Sequence, residues 1–210
     1  MKEAFHRDGL TGKDCVIAVV DTAASDIPQL NGKLTFCDEY RCDDLNKDDH
    51  ATFVLSQLSD WAPDAELLSY CVFPNGQGNT KRINAALEDV IARAKANPGK
   101  QYFVNMSLAS NFGRNVMTPT YARMHDLLKE CNANRIQVCV AAGNDGGEQL
   151  YIYPSRFEEP VCVAAAYGNG GQAYFSTQHS ALDFIDFGVE VQGYDRNGNV
   201  TWMSGTSMAA

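Results

Sequence analysis

Ser207 stands between Gly205-Thr206 and Met208-Ala209-Ala210, small residues that leave a hydroxyl exposed at the start of a helix. Backbone N–H groups at a helix start favour developing negative charge, so this position suits a nucleophile. A Gly-Thr-Ser run also caps ordinary helices, and the serine alone decides nothing. Its hydroxyl needs a base that works near neutral pH, which imidazole does without a large pKa shift. His50 opens the stretch HATFVLSQLSDW, where Phe53, Val54, Leu58 and Trp61 are spaced as one apolar helix face. An imidazolium at a helix start opposes the dipole, which sets His50 apart from His6, His125 and His179, read as surface or incidental residues. A carboxylate must hold the imidazole tautomer, and Asp21 closes the apolar run of residues 15–20. Asn144 supplies a side-chain amide that, with the Ser207 backbone N–H, suits an oxyanion.

In the order Asp, His, oxyanion donor, Ser, four segments carry these residues: IAVVDTA (17–23), DHATFV (49–54), VAAGNDG (140–146) and GTSMAA (205–210). Together they resemble the subtilisin-like serine proteases, the subtilase family, from about Ala4 to the last residue. The resemblance implies an α/β fold, a subtilisin-like three-layer sandwich with a mostly parallel central sheet. It implies a serine endopeptidase working through an acyl-enzyme, with Asp21, His50 and Ser207 as triad and Asn144 as the oxyanion asparagine. It also implies a peptide or protein substrate, bound in extended form by β-augmentation. One substrate-binding wall would be Ser107, Leu108 and Ala109, following Met106. The other would be Ala141, Ala142 and Gly143, with Tyr153-Pro154-Ser155 near the far side.

The chain departs from the family pattern at several positions. Ala51 follows the histidine where glycine is usual, and Thr22-Ala23 follows the aspartate. Ala109-Ser110 replaces a common Gly-Gly pair that lets a peptide approach closely. Residues 59–63 pass straight into the next strand without a calcium loop, so neither metal nor cofactor is expected. Against that pattern, residues 1–210 are expected to form one subtilisin-like catalytic domain without a prodomain or the region beyond the nucleophile helix start. A complementing C-terminal fragment is one way to supply the missing wall. A catalytically impaired, protease-like binding or regulatory protein is the main alternative. An esterase of the α/β-hydrolase type is disfavoured, because the order is Asp, His, Ser and no GxSxG elbow is present.

Composition sets the outer limits. The 210 residues, 45% hydrophobic and 20% charged, suffice for one good core. The formal charge of -9 argues against a nucleic-acid partner. No run approaches about twenty apolar residues, so no membrane span is expected. Asp38, Glu39, Asp43, Asp44, Asp48 and Asp49 form an acidic patch, read as a solvated loop before a cation site. Of seven cysteines, Cys15, Cys71, Cys139 and Cys162 sit in or beside apolar runs as small hydrophobes. Cys37 and Cys42 lie in a polar loop where they can pair or share a metal. The odd count favours a reducing compartment, the cytoplasm.

The apolar runs predict strands at 15–20, 33–36, 66–73, 102–107, 135–142, 161–166, 173–175 and 183–186. A hairpin pairs 189–192 with 200–202 around the turn at 195–198. Helices are expected at 2–8, from His50, at 81–97 capped by Thr80, and at 120–132, with a loop over 108–119.

Overall fold

The computed structural model describes residues 2–30, 32–37, 39, 42, 48–111, 118–149 and 151–210. The chain opens with α1 (Lys2–Arg7) and β1 (Cys15–Asp21). A 3-10 turn (Pro28–Leu30) and β2 (Leu34–Phe36) lead to α2 (His50–Trp61). β3 (Glu66–Cys71), a second 3-10 turn (Pro74–Gly76), α3 (Thr80–Ala96) and β4 (Gln101–Met106) follow. Then come β5 (Ser110–Asn111), α4 (Pro119–Ala133), β6 (Gln137–Ala141), β7 (Ile152–Tyr153) and β8 (Val161–Ala166). The chain closes through β9 (Phe184–Phe187), β10 (Val191–Tyr194), β11 (Val200–Met203) and α5 (Thr206–Ala209). Among the described residues no helix is long and apolar enough to cross a membrane.

Seven strands form one sheet in the order β2-β3-β1-β4-β6-β8-β9, and every neighbouring pair is parallel. The expected α/β sandwich is therefore present. Strand alternation assigns each side chain to a layer. On one face Val16, Ala18 and Val20 of β1 and Tyr102, Val104 and Met106 of β4 pack against Ile83, Leu87 and Val90 of α3 and Met124, Leu127 and Leu128 of α4. On the other, Ile17 and Val19 meet Val54 and Leu55 of α2. The same alternation carries the odd-numbered Asp21 and Ser107 to the face of α2 and α5.

α2 is more deeply set than its amphipathic pattern suggests. The first six residues after His50, Ala51 to Ser56, are all buried, whereas Trp61 is exposed. The reason is that β10 covers the side of α2 away from the sheet. A Cβ on Gly193 of β10 would stand 2.6 Å from the Phe53 ring, so glycine permits that close approach.

Other expectations change. The segment 173–175 is a turn, not a strand; Ala173 N–H bonds to the Ala165 carbonyl and Ser176 N–H closes back on Ala173. α3 is capped by Asn79, whose Oδ1 accepts from the Lys81 and Arg82 N–H groups, rather than by Thr80. The expected loop 108–119 contains β5, paired antiparallel with β7; residues 112–117 lie outside the described residues. His179 is buried, with Nε2 3.8 Å from Cys162 Sγ, and His125 stacks on Phe157 and pairs with Glu159. Neither is incidental to packing. Cys42 pairs with Cys71, not with Cys37, so Cys71 is no free hydrophobe. Asp38, Asp43 and Asp44 of the acidic patch lie outside the described residues.

Candidate active site

β1 delivers Asp21 to the carboxyl edge of the sheet, and α2 begins there with His50. Asp21 is 2% exposed. His50 Nδ1 lies 2.8 Å from its Oδ1 and 2.9 Å from its Oδ2. With a carboxylate as the partner, that nitrogen carries the proton and Nε2 is left as the base. Thr22 strengthens the junction twice: its N–H donates to Asp21 Oδ1 at 2.6 Å, and its Oγ1 accepts from the Ala51 N–H at 3.2 Å. Asp48 Oδ1 accepts the His50 N–H at 2.9 Å, which satisfies a backbone donor at the helix start. Burial works to lower the His50 pKa. The charge and hydrogen bond of Asp21, with the charge of Asp48, outweigh it and hold the imidazole above its ordinary value.

Ser207 sits in the first turn of α5, 9% exposed. Its Oγ donates to the Ser107 carbonyl at 3.3 Å, and Ser107 Oγ returns a bond to the Ser207 carbonyl at 3.1 Å. One position pair earlier on β4, Asn105 Nδ2 donates to the Ala210 carbonyl at 3.1 Å. No hydrogen bond joins His50 to Ser207 among the described residues. Thr206 secures the other side. Its N–H and Oγ1 donate to Asn144 Oδ1 at 2.9 and 3.1 Å, and its Oγ1 accepts from the Gly143 N–H at 3.1 Å. Because two donors claim Oδ1, the amide orientation of Asn144 is set and Nδ2 is the group left for another acceptor.

A cavity of about 240 Å³ opens beside Ser207, lined by Ser107, Leu108, Ala109, Ala141, Gly143, Asn144, Asp145, Ile152 and Thr206. Of the residues named for substrate binding, Ala142 is not in the lining. It follows Ala141 on the alternating strand, turns to the α3 and α4 side, and is fully buried there. Gly143 has φ +106°, and a Cβ there would stand 2.3 Å from Ile152 Cδ1. Sequence reasoning missed Thr206, Ile152 and Asp48. Thr206 and Asp48 carried a usable signal, since each is a side-chain hydrogen bonder within two residues of a candidate catalytic group.

The sequence model of the subtilase family matches residues 12–210. The chain belongs to the subtilase family. This subtilase is 30% identical over 219 residues to the alkaline protease of Alkalihalobacillus alcalophilus, covering 98% of this chain and 53% of the relative. It is also 30% identical to subtilisin Savinase of Lederbergia lenta, over 98% of this chain and 76% of that protein. It thus spans about half the length of the first relative and three-quarters of the second. Its fold superposes on the crystal structure of a lanthipeptide protease with a TM-score of 0.84 at 17% identity, over all of this chain and 74% of that one.

Proposed function

We propose that this subtilase is a serine endopeptidase in which Asp21, His50 and Ser207 act as a triad and Asn144 completes the oxyanion hole. The observation that carries this reading is the Asp21–His50 contact at 2.8 Å, taken with a cavity lined by Ser207 and Asn144. In the reaction Ser207 Oγ leaves the Ser107 carbonyl, gives its proton to His50 Nε2 and attacks the scissile carbonyl carbon. Asp21 stabilises the resulting imidazolium. Asn144 Nδ2 and the Ser207 N–H stabilise the oxyanion, and the imidazolium returns its proton to the leaving amine. Water then hydrolyses the acyl-enzyme by the reverse roles. The substrate is an extended peptide, whose backbone pairs with the segment at Ser107–Ala109.

The same proposal includes a complementing segment beside β9. Every residue of that sheet-edge strand is exposed, and Trp202 on β11 is 60% exposed. An uncovered apolar edge of this kind favours a covering chain.

Hydrolysis of an unfolded polypeptide such as reduced, alkylated casein tests the catalytic reading, with Ser207→Ala and His50→Ala as controls. Cleavage that both substitutions abolish is the expected result. Cleavage that survives Ser207→Ala removes Ser207 as the nucleophile, and no cleavage by a folded chain favours the protease-like binding protein instead.

A further inference from the structure

The connection from β2 to α2 carries an anchor for which the proposed chemistry has no direct use. Cys42 and Cys71 form a disulfide across a sequence separation of 29, with Cα atoms 5.9 Å apart. Cys71 ends β3 and pairs in register with Asp21, and the next residue, Val72, donates its N–H to the Asp21 carbonyl at 2.8 Å. Cys42 lies in the connection that runs into His50. Arg82 of α3 adds a second tie to the same place: its Nε donates to the Cys71 carbonyl at 3.1 Å and its Nη2 to the Glu39 carbonyl at 3.5 Å. The end of the connection bears on the site itself. Asp48 holds the His50 N–H, and Asp49 Oδ1 accepts the Arg196 N–H at 3.0 Å. The bridge therefore joins the strand bordering Asp21 to the segment that presents His50.

We propose that the Cys42–Cys71 disulfide is a positioning element for the Asp21–His50 pair, so that hydrolysis at Ser207 requires the oxidised bridge. The proposal rests on the catalytic reading given above. A dithiol reductant breaks the S–S bond. Each sulfur gains one electron and one proton, and the dithiol closes to its own disulfide. Hydrogen bonds such as Cys37 N–H to the Ser69 carbonyl and Arg82 Nη2–H to the Glu39 carbonyl do not depend on the bridge. The charged groups acting on His50 are Asp21 from β1 and Asp48 from the connection, so reduction loosens one of the two. Cys37, buried in the same connection, is not one of the two bridged cysteines.

The test measures the rate at which a fluorophosphonate probe labels Ser207 in the full chain, across pH, in oxidised and dithiothreitol-reduced protein. Non-reducing peptide mapping and far-UV circular dichroism accompany it. The oxidised chain is expected to yield a Cys42–Cys71 cross-linked peptide. Reduction should slow labelling by at least about tenfold with the fold retained, as misplacement of a catalytic group does. It should also move the acid limb of labelling to lower pH, as Asp48 is released, and reoxidation should restore both. Cys42→Ala/Cys71→Ala should label like the reduced chain and ignore the reductant, whereas Cys37→Ser should respond like the native chain. Equal labelling and an unchanged acid limb in both redox states overturn this proposal alone. A map that leaves Cys42 or Cys71 as a thiol does so too. Labelling lost only together with the circular dichroism signal makes the bridge a stability element and also overturns it. Failure of the oxidised chain to label at Ser207 overturns the catalytic reading, and this proposal with it.

Discussion

The two halves of the candidate site are built by different means. Asp21 and His50 project from the ends of a buried strand and a buried helix, and they already touch at 2.8 Å. Ser207 and Asn144 stand on a four-residue helix and a loop; Thr206 ties the two together by hydrogen bonds, and Ser107 holds Ser207. The first side is positioned by packing, which resists small displacements because cores are close-packed. The second depends on a few polar contacts, and its Ser207 hydroxyl faces the Ser107 carbonyl rather than the imidazole. Beyond it the sheet ends at an exposed strand, β9. Displacement of a catalytic group should therefore be easier to provoke on the serine side than on the packed side.

The largest effect expected is on the packed side, through chemistry rather than structure. Asp21→Asn should lower kcat by about 10⁴-fold while thermal unfolding stays near that of the native chain, because an amide stabilises the wrong imidazole tautomer. Near-native kcat would show that the 2.8 Å contact is not part of the reaction. Next is Asn144→Ala, for which kcat should fall by about 100- to 1000-fold with KM little changed, the size such oxyanion donors have in related enzymes. Asn144→Asp sharpens the point, since it keeps the acceptor for Thr206 but loses the donor; it should be impaired comparably.

Thr206→Val separates the hydrogen-bonded side from the packed one. It leaves the buried Gly143 N–H without its acceptor and removes one bond to Asn144. A stability loss of about 1–3 kcal/mol is expected in denaturant unfolding, because an unsatisfied buried donor keeps its full desolvation penalty. The turnover rate should fall by about ten- to hundredfold as Asn144 loses its orientation. A rate loss without a stability loss would mean that Thr206 acts directly on the substrate.

The smallest effect concerns pH. His50 works as a base only when neutral, and its pKa is raised, so kcat/KM should rise with pH along a limb set above the ordinary imidazole range. Asp48→Asn removes one of the charges that raise it but keeps an acceptor for the His50 N–H. The acid limb should shift to lower pH, with the plateau rate preserved. A limb that stays in place would remove Asp48 from the electrostatics of the site.

Much of this was legible because parallel strands buried on both faces leave apolar runs. The run before Asp21 announced β1, and 161–166 matched β8 residue for residue. Polar side chains closing such runs, Asp21 and Ser107, then pointed to the carboxyl edge of the sheet. What was not legible came from partners distant in sequence. The far side of α2 is buried by β10, which no periodicity within α2 can report. Cys71 reads as a strand hydrophobe until Cys42 is brought beside it. Residues 173–175 are apolar enough for a strand, yet backbone bonds to Ala165 and within the segment fold them into a turn. Ala142 was assigned to the cleft from its motif, and the alternation of β6 turns it away.

The proposed chemistry depends on Ser207 being an activated nucleophile. Intact mass of the oxidised 210-residue chain after exposure to a fluorophosphonate probe measures that directly. A single adduct that is absent from Ser207→Ala, and suppressed in Asp21→Asn, is the predicted result. A folded, disulfide-linked chain that takes up no probe, or takes it up equally in Ser207→Ala, would contradict it.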